Sequence, residues 1–161
     1  MKTVKFIDTC SLINLFDRTD VDMAPCFEEY DLVTTDRVIG EYTRKFHRKI
    51  PPCLSVVGIR EEDLPILDEL EFLLPRLGVG ERSVLVSALN SISSGCRTVV
   101  ISDDKEATKR LSDIASNTDD ARLKGTVGII WGNTRDLINR LEMGGKISEE
   151  SAGMIRRKIH I

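Results

Sequence analysis

The sequence has few of the residues that build zinc sites, disulfide frameworks or base-stacking surfaces. Of its 161 residues two are histidine and four are cysteine, and no two cysteines form a C-x-x-C pair. A zinc site is therefore not expected, and a chain of this size does not need disulfides. Cys10, Cys53 and Cys96 border apolar segments, so we expect small buried thiols. Aromatic residues make up 5% of the chain and are not interleaved with basic ones, which argues against a base-stacking platform.

Long apolar runs and a strong net charge are also missing. No stretch approaches the roughly 20 apolar residues of a membrane span. The apolar run before Asp8 is only four residues long, residues 4–7, so we expect no signal peptide. The formal net charge of -3 does not indicate a protein that coats nucleic acid, although a local basic stripe can exist on an acidic chain. We therefore expect a cytoplasmic protein whose length allows one full core.

Short apolar segments alternate with helical patterns along the chain. Strands are predicted at residues 4–7, 31–34, 53–59 and 97–102, of which the last is the clearest. Helices are predicted at 10–16, from Asp36 to the prolines at 51–52, and at 61–74, 81–93, 105–115, 126–143 and 148–159. A polar loop is predicted at 116–122, with a weak strand signal before Gly125. This order is typical of α/β layers around a parallel sheet.

Acidic residues follow two of the predicted strands directly. Asp8 comes after residues 4–7, and the pair Asp103 and Asp104 comes after residues 97–102. Ligands of open parallel sheets bind beyond the carboxyl ends of the strands, so these side chains are expected on one rim. Burying several carboxylates together costs several kcal/mol unless something positive pairs with them.

Two further acids lie beside the apolar stripes of predicted helices. Glu41 follows Val38 by three residues, and Glu81 precedes Val84 by three, and residues at this spacing share a helical face. Oxygen ligands without histidine or cysteine suit Mg²⁺ or Mn²⁺, which clamp phosphate oxygens and activate water in many nucleases. The alternative is that these acids are helix caps and surface charges, since Glu81 in a first helical turn is favourable from the helix dipole alone.

The residues around these acids resemble the PIN-domain family of metal-dependent ribonucleases, in its Gly-x-Gly-Glu subgroup. The resemblance spans about residues 3–147, and its later part is similar to the toxins of toxin–antitoxin pairs. The matching segments are Phe6-Ile7-Asp8-Thr9, Leu12-Ile13-Asn14-Leu15, Glu41, Gly78-Val79-Gly80-Glu81-Arg82, Ser102-Asp103-Asp104, Gly125-Thr126-Val127-Gly128-Ile129-Ile130 and Gly144-Gly145-Lys146-Ile147. Departures are Cys10, where many relatives carry serine, and a longer polar loop at residues 117–122.

The resemblance implies a three-layer α/β/α fold with a central, mostly parallel sheet. It also implies an acidic pocket that holds one or two Mg²⁺ or Mn²⁺ ions and cleaves single-stranded RNA. The implied catalytic and metal-binding residues are Asp8, Glu41, Glu81 and either Asp103 or Asp104. An alignment of the Ser/Thr-x-Asp type favours Asp104, with the hydroxyls of Thr9 and Ser102 behind the ligands. Residues 1–147 would form the nuclease domain, and residues 148–161 a helical extension of it.

Basic residues near Glu41 are candidates for contacts with nucleic acid. Arg44, Lys45, Arg48 and Lys49 could hold RNA phosphates that lead to the pocket. A solvated helix face, whose cations suit the end of the helix, explains the same residues equally well. Arg82, beside Glu81, is expected to meet a substrate phosphate or to pair with an acid.

Three functions are compatible with these residues. The first is a ribonuclease, with an antitoxin protein as a partner if it is a toxin. A homo-oligomer is expected, and Trp131 and Phe72, on predicted helical stripes, are expected to be core or dimer contacts. The second is a catalytically silent module of the same fold that binds RNA or protein. The third is a phosphotransfer receiver or phosphohydrolase, which the lack of an Asp-x-Asp motif after the first strand makes less favourable.

Overall fold

The structure of the protein, a computed structural model, describes residues 2–18, 32–46 and 53–159, with only the backbone of Phe46. The predicted basic contacts Arg48 and Lys49 lie outside these residues, as do Cys26 and the predicted helix end at residues 51–52. Within the described ranges, no helix is long and apolar enough to cross a membrane.

A parallel sheet of five strands forms the middle layer of the described chain. Its strands are β1 (Thr3–Ile7), β2 (Leu32–Thr35), β3 (Leu54–Val57), β4 (Arg97–Ile101) and β5 (Ile130–Gly132), in the order β3-β2-β1-β4-β5. β1 and β4 are neighbours at the centre, with Ile7 opposite Ile101. Asp8 and Ser102, the next residue of each strand, therefore leave the sheet side by side at its carboxyl edge.

Eight α-helices cover the sheet within the described residues and give a three-layer α/β/α fold, as predicted. They are α1 (Thr9–Leu12), α2 (Asp36–Phe46), α3 (Leu64–Leu73), α4 (Val79–Ser93), α5 (Lys105–Asn117), α6 (Ala121–Lys124), α7 (Thr134–Met143) and α8 (Glu149–Lys158). α1 continues as a π-helical turn, Ile13–Asp17, and 3-10 turns occupy Glu61–Asp63 and Gly125–Gly128.

Helix α4 is the structural centre of the helical layers. Its residues 82–89 are all buried, so it has no solvated face over that stretch. It contacts α2, α3 and strands β1, β2 and β4. At the other end of the chain, α8 packs on α7 and buries Ala152 and Ile155 in the core. The core thus fixes the start of α4, which carries Glu81, against the carboxyl edge of the sheet.

The prediction of one helix over residues 126–143 is wrong. That segment contains the 3-10 turn Gly125–Gly128, strand β5 and helix α7. Trp131 therefore lies in a strand rather than on a helical stripe, where it packs against the core while partly exposed. A short apolar run such as that of β5 does not show the alternation of apolar and polar residues that would distinguish a strand from a helix.

Smaller corrections concern where helices begin and which side chains they bury. The cap of α2 is Thr35, whose Oγ1 accepts the Val38 N–H at 3.2 Å, rather than Asp36. On α3, Ile66 is buried whereas Leu64 is 43% exposed, and Phe72 is 85% exposed and lies outside the core. The weak strand signal before Gly125 corresponds to α6.

Candidate metal centre at the carboxyl edge of the sheet

Asp8 is a buried carboxylate at the junction of β1 and α1. It is 2% exposed, and its Oδ1 caps α1 by accepting the Ser11 N–H at 3.0 Å. Burial raises the pKa of Asp8 to about 6, and the charge of Asp103 adds to the rise. Hydrogen bonds from Ser102 and Ser11 only partly oppose it. Burial thus makes the ionised form of Asp8 costly in the folded protein, and no ion pair within the described residues offsets that cost.

Glu41, on α2, is held in place by one hydroxyl and one backbone amide. Its Oε2 accepts the Thr9 hydroxyl at 2.9 Å, and its Oε1 accepts the Gly80 N–H at 2.9 Å. A Cβ atom on Gly80 would lie 2.8 Å from Glu41 Oε2 and 2.9 Å from Thr9 Oγ1. Glycine at position 80 is therefore required for this close approach, which gives the Gly-x-Gly-Glu segment a physical reason.

Glu81 lies in the first turn of α4, among the other acids. Its pKa is raised to about 7, by burial first and then by the charges of Asp8, Asp104 and Glu41. A hydrogen bond from the backbone of Gly78 opposes the rise. Beneath it, Ser83 Oγ donates to the Gly80 carbonyl at 2.6 Å and lies 2.5 Å from Thr35 Oγ1, which ties the start of α4 to β2.

The two neighbouring aspartates after β4 have different roles. Asp103 uses both oxygens: Oδ1 accepts the Thr134 N–H at 2.7 Å, and Oδ2 accepts the Thr134 hydroxyl at 2.5 Å and Asn14 Nδ2 at 2.6 Å. Asp104 caps α5 through Oδ1, which accepts the Ala107 N–H at 2.9 Å. Asp103 thus connects α1 and α7 to the sheet, whereas Oδ2 of Asp104 accepts no hydrogen bond within the described residues.

Cys10 lies where the field of four of the acids is felt. The residue is exposed, contrary to the expectation of a buried thiol. Desolvation of its sulfur raises the pKa of Cys10 to about 11, with further contributions from Asp8, Glu81, Asp104 and Asp103, in that order. Four carboxylates from the ends of β1 and β4 and the start of α4 thus act on the same thiol. Within the part of the chain that the structure describes, neither these four nor Glu41 forms an ion pair.

Two surface grooves meet at Cys10 and Ile13, and each contains acids and cations. The first groove is lined by Glu41 and Glu81 together with Arg37, Arg44 and Lys45. The second groove is lined by Asp103, Asp104 and Asn14 together with Arg18 and Lys105. Behind them, Asp8, Glu81 and Ser102 border a small cavity of about 20 Å³.

The chemistry of these side chains fits Mg²⁺ or Mn²⁺, because the donors are carboxylate oxygens whose mutual repulsion a cation would relieve. Their positions are not those of a finished site: among the described residues, no group of three or more acids, cysteines or histidines is arranged to hold an ion. Glu41 and Asp103 use both carboxylate oxygens in hydrogen bonds. Asp8 uses Oδ1 to cap α1, and Asp104 uses Oδ1 to cap α5, so a second oxygen of each is the one that could bind an ion.

The acids that the sequence singled out line the two adjoining grooves and the small cavity behind them, without forming one ligand group, and Thr9 and Ser102 form hydrogen bonds with two of these acids. Arg44 and Lys45 line the first groove and are exposed. Arg82 does not belong to this surface. It is 8% exposed, and its Nη1 donates to the Leu77 carbonyl at 2.5 Å, so its guanidinium supports the turn before α4.

The sequence did not point to Arg18 and Lys105, which line the second groove, or to Thr134, which binds Asp103. Arg18 follows α1 by one turn, and Thr134 follows a capping Asn133, but neither signal points to the acids without the fold. In comparisons with known proteins, no protein-family model, no curated protein and no solved structure matches the chain. Fold and site together define a three-layer α/β/α protein with an unpaired acidic centre, and its resemblance to the PIN-domain family stays a prediction.

Proposed function

We propose that this protein is a metal-dependent endoribonuclease of the PIN-domain type, which hydrolyses phosphodiester bonds of single-stranded RNA with Mg²⁺ or Mn²⁺. The observation that carries the proposal is that Asp8, Glu81, Asp103 and Asp104 line two adjoining grooves and the small cavity behind them, with no ion pair among the described residues. A fold that keeps like charges together without a counter-ion has a cost that a bound cation removes.

Asp8, Glu81 and Asp104 are the residues that we propose to hold the ion. Asp8 and Glu81 are the carboxyl groups whose pKa the fold raises, and Oδ2 of Asp104 has no hydrogen bond to give up. Glu41 and Asp103 are committed to Thr9, Gly80, Asn14 and Thr134, so they position the others. Asp104 is favoured over Asp103 as a ligand because both oxygens of Asp103 already accept hydrogen bonds, which the sequence does not show.

A bound divalent ion would supply Lewis acidity towards a phosphate oxygen and would acidify a water molecule. The protein's own residues supply positioning. The Thr9 hydroxyl and the Gly80 amide fix Glu41 at the edge of the first groove. Arg44 and Lys45, exposed along the same groove, attract the phosphates of an RNA strand and hold it beside the acids.

A cleavage assay on a panel of single-stranded RNAs, with Mg²⁺, Mn²⁺ or EDTA, tests the proposal. We expect cleavage with either metal and none with EDTA. Asp8→Asn and Glu81→Gln should each lower the rate by about 10³-fold, because several kcal/mol of charge stabilisation depend on the ion. Asp113→Asn, which changes an exposed carboxylate on α5, is the matched control and should leave the rate unchanged. Full Mn²⁺-dependent cleavage by the folded Asp8→Asn protein would refute the proposal.

Substitutions of the two aspartates after β4 should have different effects on cleavage and on stability. Asp104→Asn keeps an amide oxygen to cap α5, so we expect a folded protein whose cleavage falls by about 10²-fold or more. Asp103→Asn loses acceptors for Thr134 and Asn14, so we expect a loss of about 1–3 kcal/mol in the free energy of unfolding. Thermal unfolding and cleavage of both variants check this division, and equal effects of the two changes on both measurements would contradict it.

A silent binding module of the same fold is the second candidate. The observation in its favour is that the acids, as they stand in the described residues, do not form a group arranged to hold an ion. RNA binding without cleavage under any of the metal conditions would select it.

If the protein is a toxin, an antitoxin partner should suppress its cleavage, and a short reading frame directly upstream is the simplest sign of one. The exposed Phe72 and Leu73 on α3 support a homo-oligomer, which light scattering measures.

A further inference from the structure

The second groove contains opposite charges that do not pair. Asp103 and Asp104 line it together with Arg18 and Lys105, and both cations are exposed. Arg18 Nη1 donates to Asn14 Oδ1 at 3.1 Å, and within the described residues neither Arg18 nor Lys105 forms an ion pair. Cations and carboxylates thus share one small surface without neutralising each other.

The hydrogen bonds of the aspartates explain why the charges stay apart. Asp103 is turned towards Thr134 and Asn14, and Oδ1 of Asp104 is turned towards the backbone of α5. Asn14 connects the two sets, because its amide nitrogen donates to Asp103 while its amide oxygen accepts from Arg18. The guanidinium of Arg18 is therefore positioned by the same side chain that holds an acid of the centre, and its charge remains available to a ligand.

The first groove repeats this pattern on the other side of Cys10 and Ile13. There Arg37, Arg44 and Lys45 of α2 line the groove together with Glu41 and Glu81, again without an ion pair among the described residues. The two grooves adjoin at Cys10 and Ile13, and each contains its own acids and its own cations. A ligand that suits this distribution is a chain with repeated negative charges, since the acids repel an isolated anion at the centre unless cations hold it from both sides.

We infer that Arg18 and Lys105 form a second phosphate-binding arm, so that a single RNA strand crosses the acidic centre and is held on both sides of it. The inference rests on the proposed function and adds to it the path of the substrate. The first arm, Arg37 with Arg44 and Lys45, binds phosphates on one side of the reacting bond. The second arm binds phosphates on the other side.

The salt dependence of RNA binding tests the second arm. Anisotropy of a labelled oligouridine, measured in EDTA so that no cleavage occurs, gives the slope of log Kd against log salt for each protein. Each lost phosphate contact on a single strand reduces the slope by about 0.7, so Arg18→Ala/Lys105→Ala should reduce it by about 1.4. Lys109→Ala/Lys124→Ala removes the same charge from exposed positions outside both grooves and is the matched control. The charge-retaining Arg18→Lys/Lys105→Arg protein should keep most of the wild-type slope.

The outcomes separate the inference from the proposed function. If wild-type protein binds and cleaves RNA while the Arg18→Ala/Lys105→Ala slope equals that of the control, the second arm is refuted and the nuclease stands. If the Arg18→Ala/Lys105→Ala slope falls and the control slope does not, the second arm is supported. If wild-type protein neither binds nor cleaves any RNA of the panel, both the proposed function and the second arm fall.

Discussion

Asp8 and Asp63 are two carboxylates with the same small solvent exposure and opposite pKa shifts. Each is 2% exposed. The pKa of Asp8 rises to about 6, because burial is opposed only by hydrogen bonds from neutral groups. Burial also acts to raise the pKa of Asp63, but hydrogen bonds from Asn90, Arg60 and Arg122 outweigh it and lower the pKa.

The difference has two causes: Asp8 lies deeper among protein atoms and is more strongly desolvated than Asp63, and the two carboxylates have different neighbours. Asp63 accepts Asn90 Nδ2 at 3.1 Å, Arg122 Nη2 at 3.3 Å and the Arg60 N–H at 3.2 Å, so it joins the start of α3 to α4 and α6. Asp8 faces other acids instead. The ionised form of Asp63 stabilises the fold, whereas the ionised form of Asp8 destabilises it. A buried carboxylate without a positive neighbour is therefore the stronger indication of a binding site.

The largest expected effect comes from removing the paired carboxylate. Asp63→Ala leaves the amide of Asn90 and the guanidinium of Arg122 without their acceptor, and we expect a loss of about 2–3 kcal/mol in the free energy of unfolding at pH 7. The figure is below that of a fully buried pair because the side chains of Arg60 and Arg122 are 56% and 37% exposed. Urea unfolding measures it, with Asp113→Ala as the exposed control.

The pH dependence of this contribution has a definite sign. Because the pKa of Asp63 is lowered from 3.8 in the folded protein, its contribution is present above pH 3.8 and is lost as the pH falls through the folded value. Wild-type protein and Asp63→Ala should therefore converge in stability at low pH. A difference that stays constant down to pH 3 would show that the carboxylate charge has no part in the effect.

A smaller effect is expected at Gly80, whose backbone lies directly against the carboxylate of Glu41. Gly80→Ala places a methyl group within 3 Å of Glu41 and Thr9, so Glu41 must move, and we expect cleavage to fall by about 10- to 100-fold. Gly153→Ala, on α8 and outside both grooves, is the matched control, since the nearest atom to a Cβ there is Arg157 Nη1 at 3.8 Å, and it should stabilise α8 by about 0.5–1 kcal/mol. RNA cleavage and thermal unfolding of both variants check the pair, and full activity of Gly80→Ala would show that the position of Glu41 is not critical.

The sequence predicted the layered fold because most elements are longer than one period of their pattern. β4 and α4 are clear in the apolar spacing, although α4 begins two residues earlier than predicted, at Val79. β5 was missed because three residues are too few to show alternation. The capping box of Asn133 and Asp136 is the signal that could have divided residues 126–143 correctly.

For the site, the sequence identified the acids but not their hydrogen bonds. Strand ends and helical phase selected Asp8 and Glu81, whereas the choice between Asp103 and Asp104 depends on Thr134, which is 31 residues from Asp103 in sequence. The burial of Arg82 was also not predictable, because α4 is buried on all sides at that level and helical phase then carries no information. Contacts between distant segments are the part that one sequence does not show.

The most direct measurement is the free energy of unfolding of wild-type protein and Asp8→Asn between pH 4 and 7.5, with and without Mn²⁺. The pKa of Asp8 is raised from 3.8 to about 6, so its stabilising contribution is complete below pH 3.8 and is lost as the pH rises through 6. We expect wild-type stability to fall by about 2–3 kcal/mol relative to Asp8→Asn over this range, and Mn²⁺ to restore it in wild-type protein alone. Parallel curves for the two proteins, unaffected by Mn²⁺, would contradict the claim that Asp8 is an unpaired acid awaiting a cation.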